Sequence, residues 1–165
     1  MGGDILIFVT LGTQDKTFVR LLESIQKQID NGNLKGQEIV VQAGCTKFQS
    51  ADMKIFDLVD NDAFHEYINE CDLLICHGGV GSILTGLKAR KKVIAAPRLK
   101  KYKEHTNDHQ LQIVSTFSNE GYILALEDFD SLNLLLEKAK TFKPKKFKSN
   151  ANNFRNSLKK YIDIS

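Results

Sequence analysis

Short apolar, β-branched runs alternate with segments of helical period along most of this chain, and that alternation restricts the fold to parallel strands joined by crossover helices. Ile5 to Thr10 has the composition of a fully buried first strand. Phe18, Leu21, Leu22, Ile25 and Ile29 then recur on one helical face, and turn-forming residues over 31–36 end that helix. Further strands are predicted at Glu38 to Gln42, Ile55 to Val59, Leu73 to Cys76, Lys92 to Ala96 and Tyr122 to Leu124. Helices are predicted at Asp62 to Glu70, Gly81 to Arg90, Asn107 to Ser118 and Ser131 to Lys140. The class is α/β, a Rossmann-like parallel sheet flanked by helices. With 165 residues and 42% apolar content the chain can bury one sizeable core. We therefore expect one domain over 1–142. Residues 143–165 read as a basic connector and an amphipathic last helix, striped by Phe154, Leu158, Tyr161 and Ile162 and packed on the same domain.

Composition narrows the function classes. No run approaches the ~18 apolar residues of a membrane span, and Met1 to Asp4 lack the basic and apolar pattern of a secretion signal, so a cytoplasmic protein is expected. Cys45, Cys71 and Cys76 form no Cys-x-x-Cys pair and are expected as buried free thiols. The net charge of +3 is unevenly spread. From Thr141 onward seven basic residues face one acid, and Lys88 to Lys103 carries eight basic residues and no acid. Such blocks attract phosphates or an anionic membrane surface, or are solvated lysine faces. No aromatic stacking pattern interleaves the charges, so nucleic acid is not expected as a partner.

Parallel sheets bind ligands beyond the carboxyl ends of their strands, so the residues that follow each strand are where chemistry is sought. Gly12 and Thr13 follow the first strand, where free amides at a helix start can receive an anion; an ordinary strand-to-helix turn reads the same way. The fourth strand runs into His77-Gly78-Gly79-Val80-Gly81-Ser82, three glycines within four residues. This bend lets the backbone approach a diphosphate closely, with His77 placed to donate a hydrogen bond and Ser82 to cap the helix or touch a phosphate oxygen. The Walker lysine and spacing are missing. The fifth strand ends at Pro97-Arg98, and a polar stretch from Lys100 through Glu104, His105, Asn107 and Asp108 reaches Gln110, a run suited to sugar hydroxyls. His105 and His109 have the spacing of a metal pair, yet no third ligand is near, and capping or surface roles are favoured.

Together, Val9-Thr10-Leu11-Gly12-Thr13, Gln42-Ala43-Gly44, His77 to Ser82, Pro97-Arg98 through Tyr102 and Glu104-His105 to Gln110 carry a resemblance. The chain resembles the catalytic subunits of bacterial two-component exopolysaccharide and capsule glycosyltransferases of the EpsF or PssE kind. It is similar also to the cytosolic subunit of the eukaryotic dolichol-linked GlcNAc transferase and to the carboxyl-terminal half of MurG. The likeness covers about Ile7 to Gln112, and the ordered set is more specific than any one piece.

The resemblance implies one half of a GT-B enzyme, the half that holds the nucleotide sugar. It implies a UDP-sugar as donor, no metal or other cofactor, and direct displacement with inversion. Gly12, Thr13, His77, Gly78, Gly79, Gly81, Ser82, Arg98, Asn107, Asp108 and Gln110 would bind the donor. His77 and Arg98 would stabilise the leaving diphosphate. The general base would come from a membrane-anchored acceptor-binding partner subunit that presents a polyprenyl-diphosphate-linked sugar, with Glu104 and His105 as local candidates. Related sequences place a ribose-binding acid three positions after the Ser, where this chain has Thr85. The partner would hold the chain at the inner face of the membrane, and the basic tail would dock on partner or membrane. A non-catalytic UDP-sugar sensor and a self-sufficient homodimeric transferase are the other readings carried forward.

Overall fold

In the computed structural model, residues 5–34, 37–148, 156 and 159 are described. Six strands form one parallel sheet: β1 (Ile5–Thr10), β2 (Gln37–Gln42), β3 (Lys54–Phe56), β4 (Leu73–His77), β5 (Lys92–Ala96) and β6 (Leu124–Ala125). The helices are α1 (Val19–Asp30), α2 (Asn61–Glu70), α3 (Val80–Lys88), α4 (His109–Asn119) and α5 (Leu132–Thr141). The sheet order is β3-β2-β1-β4-β5-β6, so the chain winds outward from β1 through β3 and returns to place β4 on the other side of β1. A crevice opens at that reversal, beyond the ends of β1 and β4.

Strand alternation sorts the core into two layers. Ile7, Val9, Ile39, Val41, Ile75 and Ile94 face α1 and α5 through Leu21, Leu22, Ile25, Leu132 and Leu136. Phe8, Val40, Leu74, Cys76 and Val93 face the opposite way, onto Ile68 of α2, Ile83 and Leu87 of α3 and Val114 and Phe117 of α4. Period-2 strands with both faces covered require apolar residues at nearly every position, which is why these strands read as continuous apolar runs. Phe8, fully buried, stacks on Tyr67 at 5.3 Å and meets Phe64 edge-on at 5.7 Å.

Most element ends differ from the sequence expectation by one to three residues, and the differences in β3 and α3 bear on the site. β3 stops at Phe56 instead of running to Val59, because Asp60 caps α2 by accepting from the Ala63 N–H at 2.8 Å and the chain must turn to reach it. α3 starts at Val80 and ends at Lys88; Ser82 therefore lies inside the helix and does not cap it. Arg90, expected as the helix end, instead takes a left-handed conformation at φ 61° in the turn to β5. Cys71 and Cys76 are buried free thiols, whereas Cys45 is exposed, a correction to the expectation for that residue. It sits in the turn beyond β2, outside the layer that the sheet and helices cover.

The connector after α5 lies against the fold: the Lys145 N–H donates to the Gly121 carbonyl at 2.9 Å, and the Phe147 ring meets Tyr122 edge-on at 5.3 Å. The expected stripe of Phe154, Leu158, Tyr161 and Ile162 lies outside the described residues. Among the described residues no helix is long and apolar enough to cross a membrane.

Candidate functional site

The crevice at the sheet reversal is a cavity of about 570 Å³. One wall is polar and built from the two glycine bends: Gly12, Thr13 and Gln14 after β1, and His77, Gly79, Gly81, Ser82 and Thr85 at the start of α3. The other wall is more apolar, formed by Leu58, Val59 and Phe64 together with Asn61, between β3 and α2. Gln42, on the floor with Thr10, braces that wall by accepting the Val59 N–H at 3.1 Å. The early stop of β3 is what brings Leu58 and Val59 round to the cavity. Sequence reasoning did not single out Leu58, Val59, Asn61 or Phe64. The rule that ligands gather beyond strand ends would have found them had the third strand been ended at Phe56.

His77 closes β4 with a ring only 6% exposed. Its Nε2 lies 3.1 Å from Ser82 Oγ, and its Nδ1 lies 3.3 Å from Gln110 Nε2. The backbones of Gly12 and Gly79 press on the ring. A Cβ at Gly12, whose φ of 80° is itself left-handed, would stand 2.6 Å from His77 Nε2, and one at Gly79 would stand 2.4 Å from Cε1. Gly78 serves a different contact, since a Cβ there would meet Val114 and Gln110 of α4. Gly81 faces open space. Two glycines thus admit the imidazole, one admits α4, and one leaves the cavity mouth clear.

Burial, and after it the charge of Arg98, lowers the His77 pKa to about 3 from 6.5. The ring is therefore neutral at physiological pH and can donate a hydrogen bond without titrating. Between about pH 3 and pH 6.5 the unfolded chain binds a proton that the folded one refuses. The stability this ring contributes is complete above about pH 6.5 and is lost as pH falls toward 3. A His77→Asn variant is expected to show a shallower fall of its urea midpoint across that window than the parent chain; equal slopes would contradict the neutral assignment.

The residues expected after β5 are brought beside the cavity, but several point inward. Arg98 is 1% exposed and does not line the cavity. Its guanidinium donates to the carbonyls of Leu11, Lys16, Thr17 and Glu104, so it ties the β1–α1 loop to the β5 loop and reaches a bound anion only through its field. Glu104 is not free to act as a base. Both its oxygens accept from Arg20, at 2.9 Å each, and one also accepts the Leu99 N–H. Arg20, unnoticed in the sequence, lies over the rings of Phe129 and Tyr102 at 3.7 and 4.3 Å. Gln110 is buried, with its oxygen on the N–H groups of Gly78 and Arg98, so it is not placed to meet a sugar. His105 stands behind the cavity-lining Gln14, 3.4 Å away, its pKa lowered by burial first and by Arg98 second. Asn107 and Asp108 use their side-chain oxygens on the N–H groups of His109 and Lys100. Among the described residues no group of three or more His, Cys, Asp or Glu side chains is arranged to hold a metal ion.

Residues 6–164 match the family described as the glycosyltransferase family 28 C-terminal domain. Among solved structures, the chain superposes on the glycosyltransferase of kitacinnamycin with a TM-score of 0.65 at 14% identity, covering 99% of this chain and 40% of that one. The solution structure of ALG13 gives 0.61 at 20% identity, with 94% and 95% covered, and MurG of Acinetobacter baumannii gives 0.61 at 16%, with 86% and 42% covered. The chain thus spans about two fifths of the length of the two larger enzymes and nearly all of ALG13. These likenesses show the fold, a parallel sheet flanked by helices that is equivalent to the C-terminal half of a GT-B glycosyltransferase. No curated protein sequence matches the chain.

Proposed function

The chain belongs to the glycosyltransferase family 28 C-terminal domain family, and from that premise we propose that it is the donor-binding, catalytic subunit of a two-component inverting glycosyltransferase. The donor is a UDP-sugar. The acceptor is a polyprenyl-diphosphate-linked sugar presented by a membrane-anchored partner subunit, in exopolysaccharide or capsule biosynthesis, and the partner holds the chain at the inner face of the membrane.

The observation that carries this reading is a cavity with donors for an anion and, among the described residues, no carboxylate in its lining. The glycine bends and His77 supply a polar wall for a diphosphate, and Leu58, Val59 and Phe64, with Asn61 beside them, supply a more apolar wall for a nucleobase. Thr85 Oγ1 donates to the Gly81 carbonyl at 2.8 Å, which leaves its lone pairs turned out to accept from a ribose hydroxyl, the role an acid fills at this position in related sequences. Among the described residues no acid lines the cavity, the nearby Glu104 is held by Arg20, and His77 is a neutral donor. This supports the reading that a second half brings the base.

In the reaction the acceptor hydroxyl oxygen bonds to the anomeric carbon as the bond from that carbon to the diphosphate oxygen breaks. The hydroxyl proton passes to the partner's base, and UDP leaves with the electron pair. This chain contributes placement of the donor and stabilisation of the charge that grows on the leaving diphosphate. Calorimetry with UDP and transfer assays with and without the partner test the proposal. UDP is expected to bind the chain alone, and turnover is expected only with the partner present. Turnover by the chain alone would favour a homodimeric enzyme, UDP binding without turnover in either case would favour a sensor, and no affinity for UDP in either case would overturn the donor site.

A further inference from the structure

Gln110 lies in the first turn of α4, 1% exposed, where three segments converge. Its carboxamide oxygen accepts two backbone N–H groups, from Gly78 at 3.1 Å and from Arg98 at 3.0 Å. Two donors can be met only by an oxygen, so the orientation of the amide is decided and its NH2 faces His77 Nδ1 at 3.3 Å. An amide NH2 offers hydrogens and no lone pair. Nδ1 must then be the accepting nitrogen, and the single proton of the neutral ring sits on Nε2.

Nε2 in turn lies 3.1 Å from Ser82 Oγ. With the proton on Nε2, Ser82 accepts from the ring and its own hydroxyl hydrogen is turned away, toward the cavity that Ser82 lines. The opposite tautomer would reverse every link. Nε2 would be bare, the Ser82 hydroxyl would donate back to it, and lone pairs would face the cavity and repel an anion. The glycine backbones against the ring prevent it from turning to escape this choice.

We infer that Gln110 is a positioning residue that sets the direction of a hydrogen-bond relay, running from the Gly78 and Arg98 amides through Gln110 and His77 to Ser82, so that the cavity presents donors and selects an acceptor-only oxyanion. The nature of that oxyanion rests on the function proposed above; the tautomer does not. The relay also explains why a residue expected to touch a sugar is withdrawn into the fold. Gln110 acts on the ligand through the ring.

The experiment reads the ring directly. In long-range 15N correlation spectra of the unliganded chain at neutral pH, His77 is expected to carry its proton on Nε2 with Nδ1 bare. Gln110→Glu keeps an oxygen for the two backbone N–H groups, which preserves the tie between the loops, but replaces the NH2 with a second acceptor. In this variant Nδ1 is expected to become protonated, and UDP affinity is expected to fall roughly tenfold or more, the loss of a directed hydrogen bond to a charged group. The inference is overturned by a proton on Nδ1 in the parent chain, by an unchanged ring in the variant, or by unchanged UDP affinity after the tautomer has reversed. The parent spectrum decides the tautomer even if the variant does not fold, and Ser82→Ala then supplies the affinity arm: it must weaken UDP binding, and equal binding counts against the relay. If the parent chain binds no UDP at all, the proposed function falls while the ring nitrogens still decide whether Gln110 sets the tautomer.

Discussion

Replacing His77 by alanine is expected to slow sugar transfer by about 10²-fold or more, measured as kcat with the partner subunit and saturating donor. The expectation rests on where negative charge appears. As the bond to the anomeric carbon breaks, the diphosphate gains a full charge, and the Ser82 hydroxyl, turned toward the cavity by the His77 Nε2–H, is a donor that stabilises the transition state more than the bound substrate. The ring is fixed between the Gly12 and Gly79 backbones and kept neutral by burial, so it need not reorganise or exchange a proton during the step. The variant must therefore show kcat affected far more than the KM for the donor. A variant that turns over at the parent rate would remove His77 from the mechanism and leave the stabilisation to the glycine amides and Ser82.

The second large effect separates two glycines of the same bend. Gly79 has φ −77° and ψ 140°, a conformation open to any residue, so backbone strain cannot explain its presence. The reason is steric: an added Cβ would lie 2.4 Å from His77 Cε1 and 3.1 Å from each ring nitrogen. The imidazole has little room to retreat, because the Gly12 backbone also packs closely on it. Gly79→Ala is therefore expected to destabilise the fold by about 1–3 kcal/mol, the usual cost of overpacking, and to weaken UDP binding tenfold or more by driving the ring off its line. Gly81→Ala meets no atom within 4 Å and sits inside α3, where alanine is the better helix former by ~1 kcal/mol. Its stability is expected to hold or rise. Urea denaturation of the two variants beside the parent checks the contrast, and equal tolerance at both positions would refute the packing argument for the bend.

Much of this was legible in the sequence. Strand and helix periodicity reports which face of each element is buried, so the six strands and five helices of the described residues followed from residue order with boundary shifts of a few positions. The glycine bend after β4 was equally readable, because three glycines beyond a buried strand have few structural uses other than letting something come close. The apolar wall was hidden by a strand end misjudged by three residues, from Phe56 to Val59.

What periodicity cannot report is the direction of a side chain that leaves a loop. Arg98, Glu104 and Gln110 are polar residues after a strand, and a polar residue in a loop is by default at the surface. In the folded chain the loops after β1, β4 and β5 converge, and their backbone N–H and carbonyl groups must find partners once water is excluded. Arg98 meets four carbonyls, Gln110 meets two N–H groups and the imidazole, and Glu104 meets Arg20. The order of residues by itself determined the strands, the helices that cover them and the glycine bend beside the crevice. Which polar side chains face the crevice and which turn inward to hold the loops was decided only by tertiary structure, because that depends on groups brought together from segments as much as 91 residues apart in the chain.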